Sequence, residues 1–213
     1  VFWKGPLSGD MIKTIFFDIG GVLLDIRPGK TFQYFSDCID IERSVIEKTF
    51  PWRAHDEYEK GIINDREWFF AVKESLPEPC CLKESDFWKA WRLLLGKEKQ
   101  TRNILRDLRG KYRLWLLSNT NPRHIQDEIE KKYLFPKLID GAIYSFDVGV
   151  RKPDKTIYKI AMKKANVNKA HESLFIDDLY ENVQAAKNIG MNSIHFKSTQ
   201  QLKEELFDLG IDL

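Results

Sequence analysis

Short apolar runs that each end in polar residues are the feature that most constrains the fold of this 213-residue chain. The runs are rich in β-branched and aromatic side chains, which is typical of buried strands. Strands that are apolar on both faces indicate a parallel sheet covered on both sides. The clearest runs are residues 12–17, 112–117 and 174–176, and weaker ones are 142–144 and 193–196.

Helical patterns alternate with these strands, because apolar residues recur there at spacings of three and four. Such alternation of strand and helix predicts an α/β fold, here a doubly wound, Rossmann-like parallel sheet. The helical patterns cover residues 101–109, 125–133, 154–165, 181–188 and 200–206.

The segment 28–96 breaks this rhythm with four helical patterns and no convincing strand. It also holds four of the six tryptophans. We therefore expect an α/β core made of 11–27 and 97–213, with 28–96 inserted as a helical-bundle cap. Residues 11–18 read like a natural start, so 1–10 are expected to be a loose N-terminal arm or a cloning remnant.

Charge and cysteine usage exclude several classes of protein. The 34 Lys and Arg residues nearly balance 32 Asp and Glu and are scattered along the chain, so we expect neither a nucleic-acid nor a membrane partner. No apolar stretch approaches the roughly 18 residues of a membrane helix. Three cysteines (Cys38, Cys80 and Cys81) without CxxC spacing argue against a disulfide framework or zinc site, and indicate free thiols in the cytoplasm. The oligomeric state is not indicated.

Polar side chains directly follow three of the predicted strands. Asp18 follows the first, Ser118 the second, and Asp177 with Asp178 the third. In an open parallel sheet the ligand site lies beyond the carboxyl ends of the strands, so these residues should converge. Each one alone is more often a turn or a helix cap; their common position favours a functional site.

The chemistry of such a cluster is specific. Carboxylates held together repel one another unless a cation lies among them, and oxygen ligands favour a hard ion such as Mg²⁺, which commonly also binds a substrate phosphate. An aspartate can attack phosphorus as a nucleophile. The Ser118 hydroxyl and nearby backbone amides are suited to phosphoryl oxygens, and Lys152, held between a glycine loop and a proline, to their charge.

In these motifs the chain resembles the haloacid dehalogenase-like (HAD) superfamily over nearly its whole length from Met11. Four segments in order carry the resemblance, and the inserted helical segment resembles the small cap of that family, including YEKGII at 58–63. The four segments are FDIGGVLLD at 17–25, LLSN at 116–119, GVRKPD at 149–154 and FIDD at 175–178.

The resemblance implies a Mg²⁺-dependent phosphatase, a phosphoric monoester hydrolase that works through an aspartyl-phosphate intermediate. Asp18 would be the nucleophile, and Lys152 would assist it. The implied Mg²⁺ ligands are Asp18, the main-chain carbonyl of Gly20 and Asp178. Asp177 would support the metal site through a bridging water or by contacting the ligands rather than the metal. The implied phosphate-binding residues are Ser118, Asn119 and Lys152.

One position departs from the family pattern. Many phosphatases of this family carry a second aspartate, a general acid and base, two residues after the nucleophile, where this chain has Gly20. Relatives with Asp-x-Gly-Gly or Asp-x-Gly-Asn, including a sugar-phosphate phosphatase, resemble working enzymes. We expect a preference for leaving groups that need little protonation. His55 in the cap is a candidate proton donor, and Trp52 and His55 are candidate substrate contacts.

Three functions remain open from the sequence. The first is a phosphatase for a small phosphorylated metabolite, such as a sugar phosphate. The second is a catalytically weakened relative that binds a phosphometabolite or a protein, which Gly20 motivates. The third is a 2-haloacid dehalogenase, which also uses an aspartate nucleophile but no metal; the acidic pair Asp177 and Asp178 favours the metal-dependent enzyme.

Overall fold

The computed structural model describes residues 11–213. Residues 1–10, expected to be an arm or a cloning remnant, lie outside the described residues. The strands of the described part are β1 (Thr14–Phe17), β2 (Leu24–Ile26), β3 (Leu95–Glu98), β4 (Arg113–Ser118), β5 (Gly141–Tyr144), β6 (Ser173–Asp177) and β7 (Asn192–His195).

Helices fill most of the connections between these strands. Five lie between β2 and β3, and the others follow β3. They are α1 (Pro28–Ile39), α2 (Arg43–Thr49), α3 (Trp52–Glu59), α4 (Asp65–Ser75), α5 (Glu84–Arg92), α6 (Thr101–Leu108), a π-helical turn (Arg123–Ile129) continued by α7 (Glu130–Lys132), α8 (Ser145–Val148), α9 (Lys155–Lys164), α10 (Tyr180–Lys187) and α11 (Thr199–Asp208), with 3₁₀ turns at Phe135–Leu138 and Ala170–Glu172.

The main sheet has five parallel strands in the order β5-β4-β1-β6-β7. Side chains alternate between its faces. Ile15 and Phe17 join the hydrophobic cluster with α6 and α11, whereas Phe16 joins the cluster with α9 on the other face. Both faces are covered, so the predicted α/β fold with a doubly wound parallel sheet is confirmed.

The register of the central strands aligns their carboxyl ends. Phe17 of β1 pairs with Leu116 of β4 and with Ile176 of β6. The next residue on β1 is therefore level with the next residue on β6, while β4 continues by one more residue. The Asp18 amide also donates a hydrogen bond of 2.9 Å to the Ile176 carbonyl. Polar residues after these strands consequently meet at one edge.

The five helices α1–α5, called the helical insertion below, surround a hydrophobic cluster of their own. Trp68 lies fully buried at its centre, stacked on Tyr58 and edge-on to Phe87 and Trp91. The sequence predicts four helices in this region, and the structure has five. Two of the five, α2 and α3, are short and are separated by only two residues. The division into core and cap domains stays a prediction.

An antiparallel ladder of β2 and β3 joins the helical insertion to the rest of the chain. Leu24 pairs with Glu98, and Ile26 pairs with Leu95. Neither strand is predicted from the sequence, because strands of three and four residues are too short to give a periodic signal. The expected boundary at residue 96 falls inside β3.

His124 connects the helical insertion to the segment that follows β4. Its ring stacks on Trp91 of α5 with 5.2 Å between centroids. Its Nε2 lies 3.0 Å from the Trp91 carbonyl oxygen, and its Nδ1 lies 3.0 Å from the Asn121 amide nitrogen. These partners fit the neutral Nε2–H tautomer, which donates to the carbonyl and accepts from the amide. Burial lowers the pKa of His124 to about 4.

Cys38, Cys80 and Cys81 are all free thiols. Among residues 11–213, no helix has both the length and the apolarity needed to cross a membrane.

The depressed pKa of His124 predicts acid-dependent stability. As pH falls from about 6.5 to about 4, the unfolded chain binds a proton at this histidine before the folded chain does, so stability present at neutral pH is lost. The change in pKa corresponds to about 3 kcal/mol of unfolding free energy by pH 4. Urea unfolding of wild type and His124→Gln at pH 7 and pH 4 measures this.

We expect His124→Gln to be less stable at pH 7, because two buried hydrogen bonds change, but to lose about 3 kcal/mol less on acidification. The carboxylates that titrate over the same range are common to both proteins and cancel in the difference. Equal acid losses in the two proteins would contradict the assignment.

Candidate active site

Three carboxylates and one ammonium meet at the carboxyl ends of β1 and β6. Oxygens of Asp18, Asp177 and Asp178 lie within 4.8 Å of one another. The Lys152 Nζ, from the loop before α9, lies 2.9 Å from Asp18 Oδ1 and 2.6 Å from Asp177 Oδ2. The structure thus brings together residues that are far apart in sequence, as the strand-end argument requires.

Burial controls the electrostatics of this cluster. The exposed fraction is 0% for Asp177, 2% for Lys152 and 8% for Asp18. Burial raises the pKa of Asp18; Lys152 opposes the rise and Asp177 adds to it. Burial alone would lower the pKa of Lys152, but its two carboxylate partners raise it, so the lysine stays charged. Lys152 thus contacts two of the three acids, while the positive charges of Lys152 and Lys99 both oppose the rise in the pKa of Asp178.

Asp177 and Asp178 have different surroundings. Both oxygens of Asp177 accept from the Asn182 amide, at 3.0 and 3.1 Å, and one also accepts from the Leu179 backbone N–H at 2.8 Å. With Lys152 added, Asp177 is fully engaged in holding neighbouring groups. Asp178 is half-buried, and burial followed by the charge of Asp177 raises its pKa. Its carboxylate is the freer of the two.

The Asn119 side chain ties the segment after β4 to the main chain of the lysine loop. The Asn119 side-chain amide donates to the Lys152 carbonyl at 2.9 Å, and the Lys152 N–H donates to Asn119 Oδ1 at 2.8 Å. Both polar atoms of the Asn119 side chain therefore position Lys152. Ser118 is buried at the end of β4. Phosphate binding by Ser118 and by Asn119 stays a prediction, and for Asn119 it rests on the backbone N–H.

Two glycines shape the turn after Asp18. Gly21 has a φ of +71°, and a Cβ added there would lie 1.9 Å from Asp178 Oδ2. The acid therefore occupies space that only glycine leaves open. Gly20 has no positive φ, and its absent Cβ would lie 3.2 Å from Ile26 Cγ1.

A pocket of about 270 Å³ opens from this cluster toward the helical insertion. Asp18, Gly20 and Ser118 line one end, and Trp52 and His55 of α3 line the other. Both candidate substrate contacts thus lie on the same pocket as Asp18.

His55 has surroundings that oppose a role as proton donor. Burial, followed by the charge of Arg151, lowers the pKa of His55 to about 4. Its ring lies among Phe50, Trp68 and Trp91, with centroids 5.5 to 5.9 Å away. At neutral pH the imidazole is therefore uncharged, and the hypothesis of His55 as general acid has no support in this geometry.

Arg151, next to Lys152, forms ion pairs with the helical insertion. Its guanidinium lies 2.8 Å from Asp56 Oδ1 and 3.1 Å from Glu59 Oε2. Glu59 is buried and lines the pocket, and burial raises its pKa despite Arg151. The sequence carries no signal for this contact, because Arg151 and Glu59 lie on separate elements.

The carboxylate cluster fits a divalent cation. Apart from the Lys152 ion pair, Asp18 Oδ1 is a buried oxygen without a hydrogen-bond partner among the described residues. The Asp178 carboxylate lies in a cradle that a Cβ at Gly21 would fill. Hard oxygen donors with excess negative charge suit Mg²⁺ better than softer ions.

Comparisons with known proteins agree with this geometry. Residues 12–190 match the family model of haloacid dehalogenase-like hydrolases. A D-ribitol-5-phosphate phosphatase of Bacteroides thetaiotaomicron is 26% identical and covers 92% of this chain and 97% of the relative. A sesquiterpene phosphatase of Aspergillus oryzae is also 26% identical, with coverage of 92% and 96%.

Among solved structures, a HAD family enzyme of Bacteroides thetaiotaomicron in complex with magnesium and inorganic phosphate is similar to this chain. The TM-score is 0.77 at 25% identity, over 88% of this chain and 96% of that one. Since the family model spans most of the described residues, the protein belongs to the haloacid dehalogenase-like hydrolases.

Proposed function

We propose that the protein is a Mg²⁺-dependent phosphatase that hydrolyses a small phosphorylated metabolite through an aspartyl-phosphate on Asp18. One observation carries the proposal: a buried lysine contacts Asp18 beside two further carboxylates at the strand ends. An acid nucleophile, a cation site and a fixed positive charge suit a phosphoryl group. The names of the two curated relatives, both phosphatases, support it.

Asp18, the Gly20 carbonyl and Asp178 are the residues that would hold Mg²⁺. Asp177 would support the site by fixing Lys152, since its own oxygens are engaged by Lys152 and Asn182. When bound, Mg²⁺ would offset the charge of the acids and of the phosphoryl oxygens.

Two chemical steps follow from this arrangement. In the first, an Asp18 oxygen would form a bond to phosphorus while the bond from phosphorus to the ester oxygen breaks, and the departing alkoxide would take a proton from water. In the second, a water molecule would attack phosphorus and lose its proton to solvent water, while the bond from phosphorus to the Asp18 oxygen breaks, so that phosphate leaves and the Asp18 carboxylate is restored. Lys152 and Ser118 would hold the phosphoryl oxygens throughout.

Protonation of the leaving group is the weak point of this site. Gly20 carries no carboxyl group, and His55 is uncharged at neutral pH. General acid catalysis contributes about 10²–10⁴ in rate. Without it, substrates whose leaving group is stable as an anion should react faster.

The helical insertion, with expected bounds 28–96, would act as a cap over the pocket. Its α3 contributes Trp52, His55 and Glu59 to the pocket wall. Arg151 would connect the cap to the phosphate-binding loop through Asp56 and Glu59. A closed cap excludes bulk water from the phosphoryl group until the alcohol has departed.

Two other functions predict different results. If the protein is a weakened relative that only binds phosphometabolites, it would release no phosphate even though Asp18 and Lys152 are in contact. A 2-haloacid dehalogenase would release halide without Mg²⁺. Three acids gathered at the strand ends favour the metal-dependent reaction over both.

Replacement of the nucleophile tests the proposal directly. We expect Asp18→Asn to lower Mg²⁺-dependent release of phosphate from p-nitrophenyl phosphate by at least about 10³-fold, because the amide is a poor nucleophile. Asp25→Asn, an exposed position on the same segment, is the matched control and should keep wild-type rates. Activity that survives in Asp18→Asn, or that resists chelation of the metal, would contradict the proposal.

The cradle at Gly21 predicts a specific metal defect. In Gly21→Ala the new Cβ collides with Asp178, so we expect Mg²⁺ to bind at least about tenfold more weakly by calorimetry and to activate at correspondingly higher concentration. Gly110→Ala is the control for backbone strain, since Gly110 has a φ of +81° with no atom within 4 Å of its absent Cβ. Equal Mg²⁺ affinity in the two variants would argue against Asp178 as a ligand.

The missing acid predicts a gain of function. Ile26 is partly exposed and can shift, so Gly20→Asp should be accommodated. We expect it to raise kcat for an alkyl phosphate relative to p-nitrophenyl phosphate by about tenfold, since only the alkoxide needs a proton. Gly20→Asn is the control, because the Asn side chain has the shape of Asp but lacks its carboxylic proton. If it gives the same gain, or if neither variant changes the ratio, leaving-group protonation does not limit the reaction.

A further inference from the structure

The pocket beside Asp18 has walls of a particular character. Apart from the end formed by the strand-end residues, the lining is largely aliphatic and aromatic, contributed by β2, the helical insertion and the approach to β3. The apolar side chains in this lining include Ile19, Ile26, Phe32, Phe50, Trp91 and Leu95. A substrate group held here would contact carbon on most sides.

The polar side chains in the lining are mostly bonded to the protein. The Thr31 hydroxyl donates to the Ala90 carbonyl at 3.0 Å. The Asn121 amide nitrogen lies 3.0 Å from His124 Nδ1, and Asn121 Oδ1 accepts from the His124 backbone N–H at 3.0 Å. The other ring nitrogen of His124 is bonded to the Trp91 carbonyl. These groups have little capacity left for substrate hydroxyls.

The two remaining titratable side chains on the cap side face each other or Arg151. Glu59 Oε2 lies 3.1 Å from the Arg151 guanidinium, and Glu59 Oε1 lies 3.8 Å from His55 Nε2. The His55 ring is packed edge-on or tilted against aromatic rings. Glu59 Oε2 and Trp91 Nε1 are buried without a hydrogen-bond partner among the described residues. They offer one acceptor and one donor, which is fewer than the hydroxyls of a polyol need, so a polyol in this pocket would leave hydroxyls without partners.

We propose that this pocket selects phosphate monoesters of small apolar alcohols over phosphates of sugars and polyols. The proposal rests on the proposed phosphatase function and narrows its substrate class, away from the sugar phosphate suggested by sequence. The volume of about 270 Å³ corresponds to roughly nine groups of the size of water. That is room for one hydrocarbon ring next to the phosphoryl group.

The selection follows from differential desolvation. A hydroxyl that loses water and finds no partner costs about tenfold or more in affinity. A methylene in the same place gains by leaving water. Two ligands with the same ring size and the same link to phosphate, one with hydroxyls and one without, therefore separate this effect from leaving-group chemistry.

Cyclohexylmethyl phosphate and glucose 6-phosphate form such a pair, since each joins a six-membered ring to phosphate through one methylene. With Mg²⁺ present, we expect kcat/KM for cyclohexylmethyl phosphate to exceed that for glucose 6-phosphate by at least about 100-fold. Binding of both to Asp18→Asn by calorimetry should show the same order. A preference below about tenfold, or a preference for the sugar phosphate, overturns the proposal.

Failure of the substrate class and failure of the proposed function give different results. If p-nitrophenyl phosphate and both alkyl phosphates release no phosphate with Mg²⁺, the phosphatase function is wrong, while calorimetry still decides whether the pocket prefers the apolar ligand. If p-nitrophenyl phosphate is hydrolysed and glucose 6-phosphate is preferred to its hydrocarbon analogue, the function stands and the substrate class is wrong.

A wall variant tests whether the pocket itself sets the preference. Ile26 lines the pocket next to Gly20 and is partly exposed, so Ile26→Asn should fold. It replaces an apolar contact with a partner for hydroxyls, and we expect the ratio of kcat/KM to fall about tenfold toward the sugar phosphate. Leu134→Asn, at an exposed position outside the pocket, should leave the ratio unchanged. An unchanged ratio in Ile26→Asn, or an equal fall in both, counts against the proposal.

Discussion

The buried contact of Lys152 with Asp18 and Asp177 is the interaction on which the site depends. An ammonium with only 2% of its surface exposed is strongly unfavourable unless acids surround it. Two acids also cannot stay close in such a place without a positive charge between them. The lysine loop and the ends of β1 and β6 therefore hold one another in place, and removal of Lys152 would leave two buried carboxylates without a compensating charge.

Much of this arrangement could be predicted from the sequence, because it follows from simple rules. Runs such as 174–176 are too apolar for anything but a buried strand, and parallel strands place their following residues at one edge. The convergence of Asp18 with Asp177 needs nothing further. The family resemblance added the roles, which the strand argument alone left open.

Other features depend on tertiary contacts that leave no periodic pattern. The ladder of β2 and β3 is too short to be recognised, and the pairing of Arg151 with Glu59 joins residues on separate elements. The difference between Asp177, bonded on both oxygens, and Asp178, which is freer, arises from the Asn182 amide. The residue types alone do not distinguish these adjacent acids, and it was the family resemblance that implied Asp178 as the ligand. The apolar pocket is likewise assembled from β2, α3 and α5, which no single stretch of sequence describes.

The ladder of β2 and β3 also has a mechanical consequence. The chain leaves the main sheet toward the helical insertion after Ile26 and returns at Leu95, and these two residues are paired neighbours. Both covalent connections thus run side by side and form one two-stranded hinge. The contacts of Arg151 with Asp56 lie on a different loop, after α8. The helical insertion can therefore move by bending of this two-stranded connection, and the Arg151 ion pairs oppose that motion.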